Sequence, residues 1–181
     1  MLDGSGSKEN FEIVKKFATE IAKRFRISSK STHAGVITIG GENAQHDINL
    51  RAHADINSFI IALKSIPHRG SVYNMEGAME IAQHEFFSPK FGARTEARRQ
   101  LIVVTDGSKT NDQYSGNIGD EMRKDGVRII TVGVGVGLDK YVLRHVTGGS
   151  SEVYVAHSFE SLLTDDFIRK ILKATCIPLG W

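Results

Sequence analysis

The 181-residue chain has only one cysteine, Cys176. That residue has two readings: a free, partly buried thiol, or one half of a disulfide whose partner lies upstream of residue 1. No apolar stretch approaches the roughly 20 residues of a membrane span. Nothing resembling a secretory leader follows Met1, since Leu2 and Asp3 come directly after it. Net charge is also small. A formal value of +2, with no basic run interleaved with aromatics, argues against nucleic acid. The seven histidines are His33, His46, His53, His68, His84, His145 and His157. No two stand at the spacing of a zinc pair, so all read as surface or structural residues. Gly133-Val134-Gly135-Val136-Gly137 lacks the full dinucleotide-loop spacing and ends a late strand rather than the first, which argues against a nucleotide reading. Arg94 to Arg99 reads as a solvated approach to a strand. There is no internal repeat, low-complexity tract or linker.

What is present is alternation of helical and extended patterns. Phe11, Val14, Phe17, Ile21 and Phe25 recur at three- and four-residue steps, predicting a helix over Glu9 to Arg26 with Ser7 at its N-cap. Val36 to Ile39 is a β-branched strand closed by Gly40-Gly41. His46 to Leu50 alternates and reads as an edge strand paired to it. Ala54 to Ile66 predicts a second helix stopped by Pro67. Met75, Met79, Ala82 and Phe86 mark a third. Leu101 to Val104 is apolar without alternation, as in the middle of a parallel sheet. Ile118 to Asp125 predicts a short helix with Gly126 just past its end. Further expectations are a strand over Val127 to Val136, a helix over Leu138 to Val146, a strand at Val153 to Val155, and a last helix opened by Ser158. The pattern implies an α/β, doubly wound, mostly parallel six-stranded open sheet. It has one antiparallel edge strand and helices on both faces. Residues 1–181 read as one domain. Met1-Leu2 reads as the tail of a strand whose beginning has been cut off, so the chain reads as an excerpt of a longer one.

In such sheets ligands bind beyond the carboxyl ends of the strands. Two segments fall there: Asp3-Gly4-Ser5-Gly6-Ser7 and Thr105-Asp106-Gly107. Magnesium and manganese take hard oxygen ligands. A carboxylate and two hydroxyls on alternate residues of a tight loop can converge on one ion, and Asp106 adds a second carboxylate from another strand. The competing structural explanation is a helix-capping loop plus an unrelated Asp-Gly turn.

With these motifs and this element order, the chain resembles a von Willebrand factor type A domain, the module called the I domain in integrins and found in matrilins and collagens. The resemblance also runs through Ile129-Ile130-Thr131-Val132-Gly133-Val134 and Ser158-Phe159-Glu160-Ser161-Leu162. It implies a metal-ion-dependent adhesion site. Ser5 and Ser7 would contact Mg²⁺ or Mn²⁺, and Asp3 and Asp106 would hold the ion directly or through water. An acidic side chain of an extracellular protein, collagen among the candidates, would complete the shell. Gly4, Tyr73, Asn74 and Ser108 are expected beside that ligand. A secreted, matrix location and a binding role without catalysis follow from the same resemblance.

The chain departs from the family where a further hydroxyl, usually threonine, precedes the third helix. Aligned on Asn74-Met75, that place holds Tyr73. A phenol oxygen lies too far from its backbone to replace a threonine hydroxyl at about 2.1 Å from magnesium. Two outcomes stay open: Ser71 reaches in instead, or the site has lost a ligand. The second would make the domain a metal-independent scaffolding module. A magnesium-dependent phosphohydrolase with Asp3 as nucleophile is the catalytic rival. Against it, no lysine stands ready for a phosphate, and no histidine is assigned to this edge of the sheet.

Overall fold

The computed structural model describes residues 1–41, 43–70, 72–107, 113–138, 141, 143–144 and 152–176. Among the described residues, six strands form one sheet: β1 (Leu2–Asp3), β2 (Val36–Ile39), β3 (Gln45–Ile48), β4 (Arg99–Thr105), β5 (Val127–Val134) and β6 (Val153–Ala156). Their spatial order is β3-β2-β1-β4-β5-β6. β2 and β3 pair antiparallel, and the other neighbours in that order pair parallel. The described α-helices include α1 (Lys8–Ala22), α2 (Ile56–Ser65), α3 (Met75–Glu80), α4 (Gln113–Lys124) and α5 (Asp165–Cys176). The doubly wound, mostly parallel architecture read from the sequence is the one observed.

Strand side chains alternate between two apolar layers, as a period of two requires. Leu2, Val104 and Val132 join Phe11, Phe17, Leu63 and Ile171 on the side of α1, α2 and α5. Met1, Val103 and Ile129 join Met75, Met79 and Met122 on the side of α3 and α4. The apolar run in β4 thus feeds both layers, which is why it shows no alternation of polarity.

Several boundaries differ from the sequence expectation. α1 ends at Ala22 rather than Arg26, because Arg24 and Phe25 donate to Ile21 and Ala22, tightening the last turn. The third helix changes to π geometry over Ile81–Phe86, and Ala82 and Phe86 stay buried through the wider turn. α4 begins at Gln113, earlier than its apolar residues suggest. Ser158 does not open the last helix. It exchanges hydrogen bonds with Ser161 in a 3-10 turn over Glu160–Leu163 that buries Leu162. Thr164 then precedes α5 and accepts from the Phe167 N–H at 3.4 Å. The helix expected over Leu138–Val146 lies largely outside the described residues, as does the Cys176 side chain.

One buried cation ties the helices together. Lys15 Nζ donates to the carbonyls of Lys64 and Ile66 at 2.9 Å each and meets Glu12 at 2.9 Å. An ammonium has three donors, and all three are used. The C-terminal carbonyls of α2 are satisfied by a side chain from α1.

Candidate metal centre

β1 and β4 are parallel neighbours with Leu2 opposite Val104. That register brings Asp3, the last residue of β1, and Asp106, which follows β4, to one edge of the sheet. Asp3 is buried. Its Oδ1 accepts from the Ser5 N–H at 2.9 Å and the Ser5 O–H at 2.7 Å. Its Oδ2 accepts from the Thr105 O–H at 2.7 Å. Thr105 Oγ1 in turn accepts from the Gly107 N–H at 3.1 Å. The turn after β4 is therefore bonded to the loop after β1 through one threonine. Sequence reasoning assigned Thr105 no role, although its place before Asp106 at a strand end was visible.

Burial pushes the Asp3 carboxyl above its ordinary pKa. The hydrogen bonds from Ser5 and Thr105 pull the other way, and the negative charge of Asp106 adds to the upward push. All three donors to Asp3 are neutral. Asp3, Gly6, Ser7, Thr105 and Asp106 line a cleft of about 10 Å³, room for about one water-sized particle. Asp106 Oδ2 lies 3.6 Å from where a side chain at Gly6 would begin. Among the described residues no group of three or more His, Cys, Asp or Glu is placed to hold a metal ion. A cation here would therefore draw on hydroxyls as well as carboxylates, and Asp3, Ser7, Thr105 and Asp106 offer it oxygens at the cleft. This is the set that hard divalent ions take.

The remaining expected residues divide. Ser7 caps α1, accepting from the Asn10 N–H at 3.1 Å, and stays exposed at the cleft. The Gly4 N–H is used by Ile39 O at 2.6 Å, which joins the loop to β2. Asn74 caps α3 by accepting from the Gly77 N–H at 2.9 Å. The Tyr73 side chain packs against the α3-side core and its hydroxyl is buried. Ser71 and Ser108 lie outside the described residues.

One histidine does stand at this edge, contrary to expectation. His68 Nε2 is 2.9 Å from Gly6 O, and its ring lies 5.9 Å from that of Phe11. Beside it Arg69 contacts Asp47 at 2.6 Å and donates to Thr38 Oγ1 at 2.8 Å. Both follow Pro67 in a loop that the sequence showed only as a helix stop.

The model of the von Willebrand factor type A domain matches residues 1–169. The chain belongs to this family. A similar relative is the collagen alpha-1(XXI) chain of Xenopus laevis, 30% identical over 96% of this domain. The chain spans only 18% of that relative's length. Other relatives are also collagen chains, so this type A domain is of the extracellular-matrix kind. Among solved structures, proximal thread matrix protein 1 from the mussel byssus, with a zinc-occupied adhesion motif, is similar. It has a TM-score of 0.83 at 22% identity, covering 97% of this domain and 44% of that chain. The manganese-loaded TRAP protein of Plasmodium vivax is similar with a TM-score of 0.71 at 18% identity, covering 92% and 70%. At these identities the structural likeness establishes the shared fold. No helix among the described residues is long and apolar enough to cross a membrane.

Proposed function

We propose that this type A domain binds an extracellular protein through a divalent cation, Mg²⁺ or Mn²⁺. Asp3, Ser5, Ser7 and Asp106 would hold the ion, and an acidic side chain of the partner would complete its shell. The observation that carries the reading is the Asp3 carboxylate: buried, served only by neutral donors, and repelled by Asp106. A cation at that cleft turns the repulsion between two carboxylates into shared attraction. When bound, the ion supplies electrophilic attraction for an incoming carboxylate. The protein's own part is to hold the loop: Thr105 orients Asp3, Ser5 closes the turn on it, and Ser7 anchors the loop to α1. A collagen triple helix is the candidate partner, since the relatives are themselves collagen chains.

Calorimetric titration with Mg²⁺ and Mn²⁺ tests this. Saturable heat that disappears in Asp3→Ala is the expected result, and absence of heat in the unsubstituted domain would overturn it. A second reading has its own support. Tyr73, packed into the core, brings no short hydroxyl to the place where the family has threonine. On that reading the domain is a metal-independent scaffolding module, and partner capture persists unchanged in a chelator. Turnover of a phosphate ester in magnesium would instead favour the hydrolase.

A further inference from the structure

Three loops meet at the end of the sheet opposite Asp3 and Asp106. They are residues 23–35 after α1, residues 49–55 after β3 and residues 87–98 before β4. His33 ties the first to the third, with Nδ1 2.8 Å from Gly92 O and Nε2 3.2 Å from Ser29 O. Arg94 donates to Ser31 O between the same two loops. The second loop closes on the third at Gly92, where a side chain would begin 2.7 Å from Arg51 Cβ. Gly92 has φ 99°, so glycine alone allows both the turn and the close approach.

The side chains these loops turn outward are cations: Arg24, Arg26 and Lys30 on the first, Arg51 on the second, Lys90 on the third. The stretches 23–33, 49–52 and 88–94 contain no Asp or Glu. Acids that flank them are engaged elsewhere. Glu20 pairs with Lys23 at 2.6 Å, Asp55 accepts from Ser58 at the start of α2, and Glu96 accepts from the Thr95 O–H at 2.9 Å. Among the described residues no carboxylate stands within ion-pair distance of the five cations. The Phe91 ring packs 4.8 Å from the His46 ring, with Lys90 Nζ over it, instead of facing outward as a platform.

We propose that this end of the domain binds a sulfated polysaccharide, through Arg26, Lys30, Arg51 and Lys90. The seven residues of β4 separate it from the carboxylate rim by about 20 Å. Charge is screened over about 8 Å at physiological salt. The acidic rim therefore does not cancel this cluster, and the small net charge of the whole chain hides it. Guanidinium forks match the paired oxygens of a sulfate as they do those of a phosphate. Cations held on three bonded loops, instead of one helix face, fit an extended chain that carries its charges at intervals. Single-stranded nucleic acid would want exposed aromatic faces for its bases, and a matrix domain meets sulfated chains as its abundant polyanion.

The test titrates a heparin decasaccharide into the domain by calorimetry over a series of salt concentrations. Saturable binding at physiological salt is expected, falling linearly on a log–log plot against salt and lost when the decasaccharide is desulfated. Arg26→Ala, Lys30→Ala and Lys90→Ala together should weaken it about tenfold and make the salt slope shallower by about two to three. All three side chains are exposed, so the melting temperature should not move. Lys16→Ala, Lys64→Ala and Arg169→Ala remove the same charge from exposed positions elsewhere and should change affinity by less than about twofold. Equal loss in the two triple variants overturns the proposal, by reducing the effect to net charge. No binding of the decasaccharide overturns it too. Single-stranded DNA of equal charge that binds as tightly would make the surface a nucleic-acid or general polyanion site. Binding should persist in chelator and in Asp3→Ala, so this proposal and the metal reading fail separately. Heparin binding that requires magnesium would overturn it by moving the ligand to the carboxylate rim.

Discussion

Lys15→Met should cost this domain about 2–4 kcal/mol of folding stability. The Lys15 ammonium is buried, donates to the carbonyls of Lys64 and Ile66 at 2.9 Å each, and meets Glu12 at 2.9 Å. Methionine keeps the packing of the stem and removes all three donors. The two carbonyls at the end of α2 then lose their donor, and each buried acceptor left that way costs about 1–3 kcal/mol. Removing a buried ammonium also removes its own desolvation cost, which offsets part of that loss and holds the net to the stated range. Urea denaturation of the two proteins at one pH measures the difference as a shift in midpoint at unchanged slope. A neutral result would refute the reasoning and show that water replaces the ammonium.

Saturating magnesium, at a hundred times its dissociation constant, should add about 2.7 kcal/mol to folding stability. That corresponds to roughly 5–11 °C in a thermal melt of a domain this size, and the increment should vanish in Asp3→Ala. Tyr73→Thr should tighten magnesium binding in calorimetry while costing about 2–4 kcal/mol in urea through lost ring burial; unchanged affinity would mean that this position does not face the ion. Thr105→Val should lower magnesium affinity in calorimetry and cost about 1–3 kcal/mol in urea, since it removes the buried hydroxyl that donates to Asp3 and accepts from the Gly107 N–H; unchanged affinity would mean that Asp3 needs no orienting partner.

The parts of the fold legible in the sequence were those governed by period. The α1 stripe at Phe11, Val14, Phe17 and Ile21, and the unalternating run at Leu101 to Val104, each follow from which layer a residue must face. Boundaries set by side-chain hydrogen bonds were not legible. Ser158 looks like a helix cap, but reciprocal bonding with Ser161 makes a separate 3-10 turn and hands the start of α5 to Thr164. At the site, Asp3, Ser5, Ser7 and Asp106 could be grouped because motif and strand order place them at one sheet edge. Thr105 and His68 could not. Thr105 acts through a hydrogen bond across two strands separated by a hundred residues of chain, and His68 arrives by the path of the loop after Pro67. Neither path has a periodic signature.

The Asp3 carboxylate carries a cost that a cation would remove. Ser5 and Thr105 supply its hydrogen bonds, all from neutral groups, and Asp106 adds repulsion. Burial and that repulsion outweigh the hydrogen bonds and push its pKa up, so folding favours the neutral acid over the carboxylate. A neutral side chain of the same shape should therefore be tolerated by the fold without metal, while a site built on the charge should lose its ion. Asp3→Asn separates the two effects. In chelator, the variant should be at least as stable in urea as the unsubstituted domain, because a buried charge with no opposite partner has been removed. In saturating magnesium the order should reverse, because only the carboxylate gains from the ion. A variant that is less stable in chelator as well would show that the hydrogen bonds to the carboxylate outweigh its burial, and that the loop needs the charge with or without a cation.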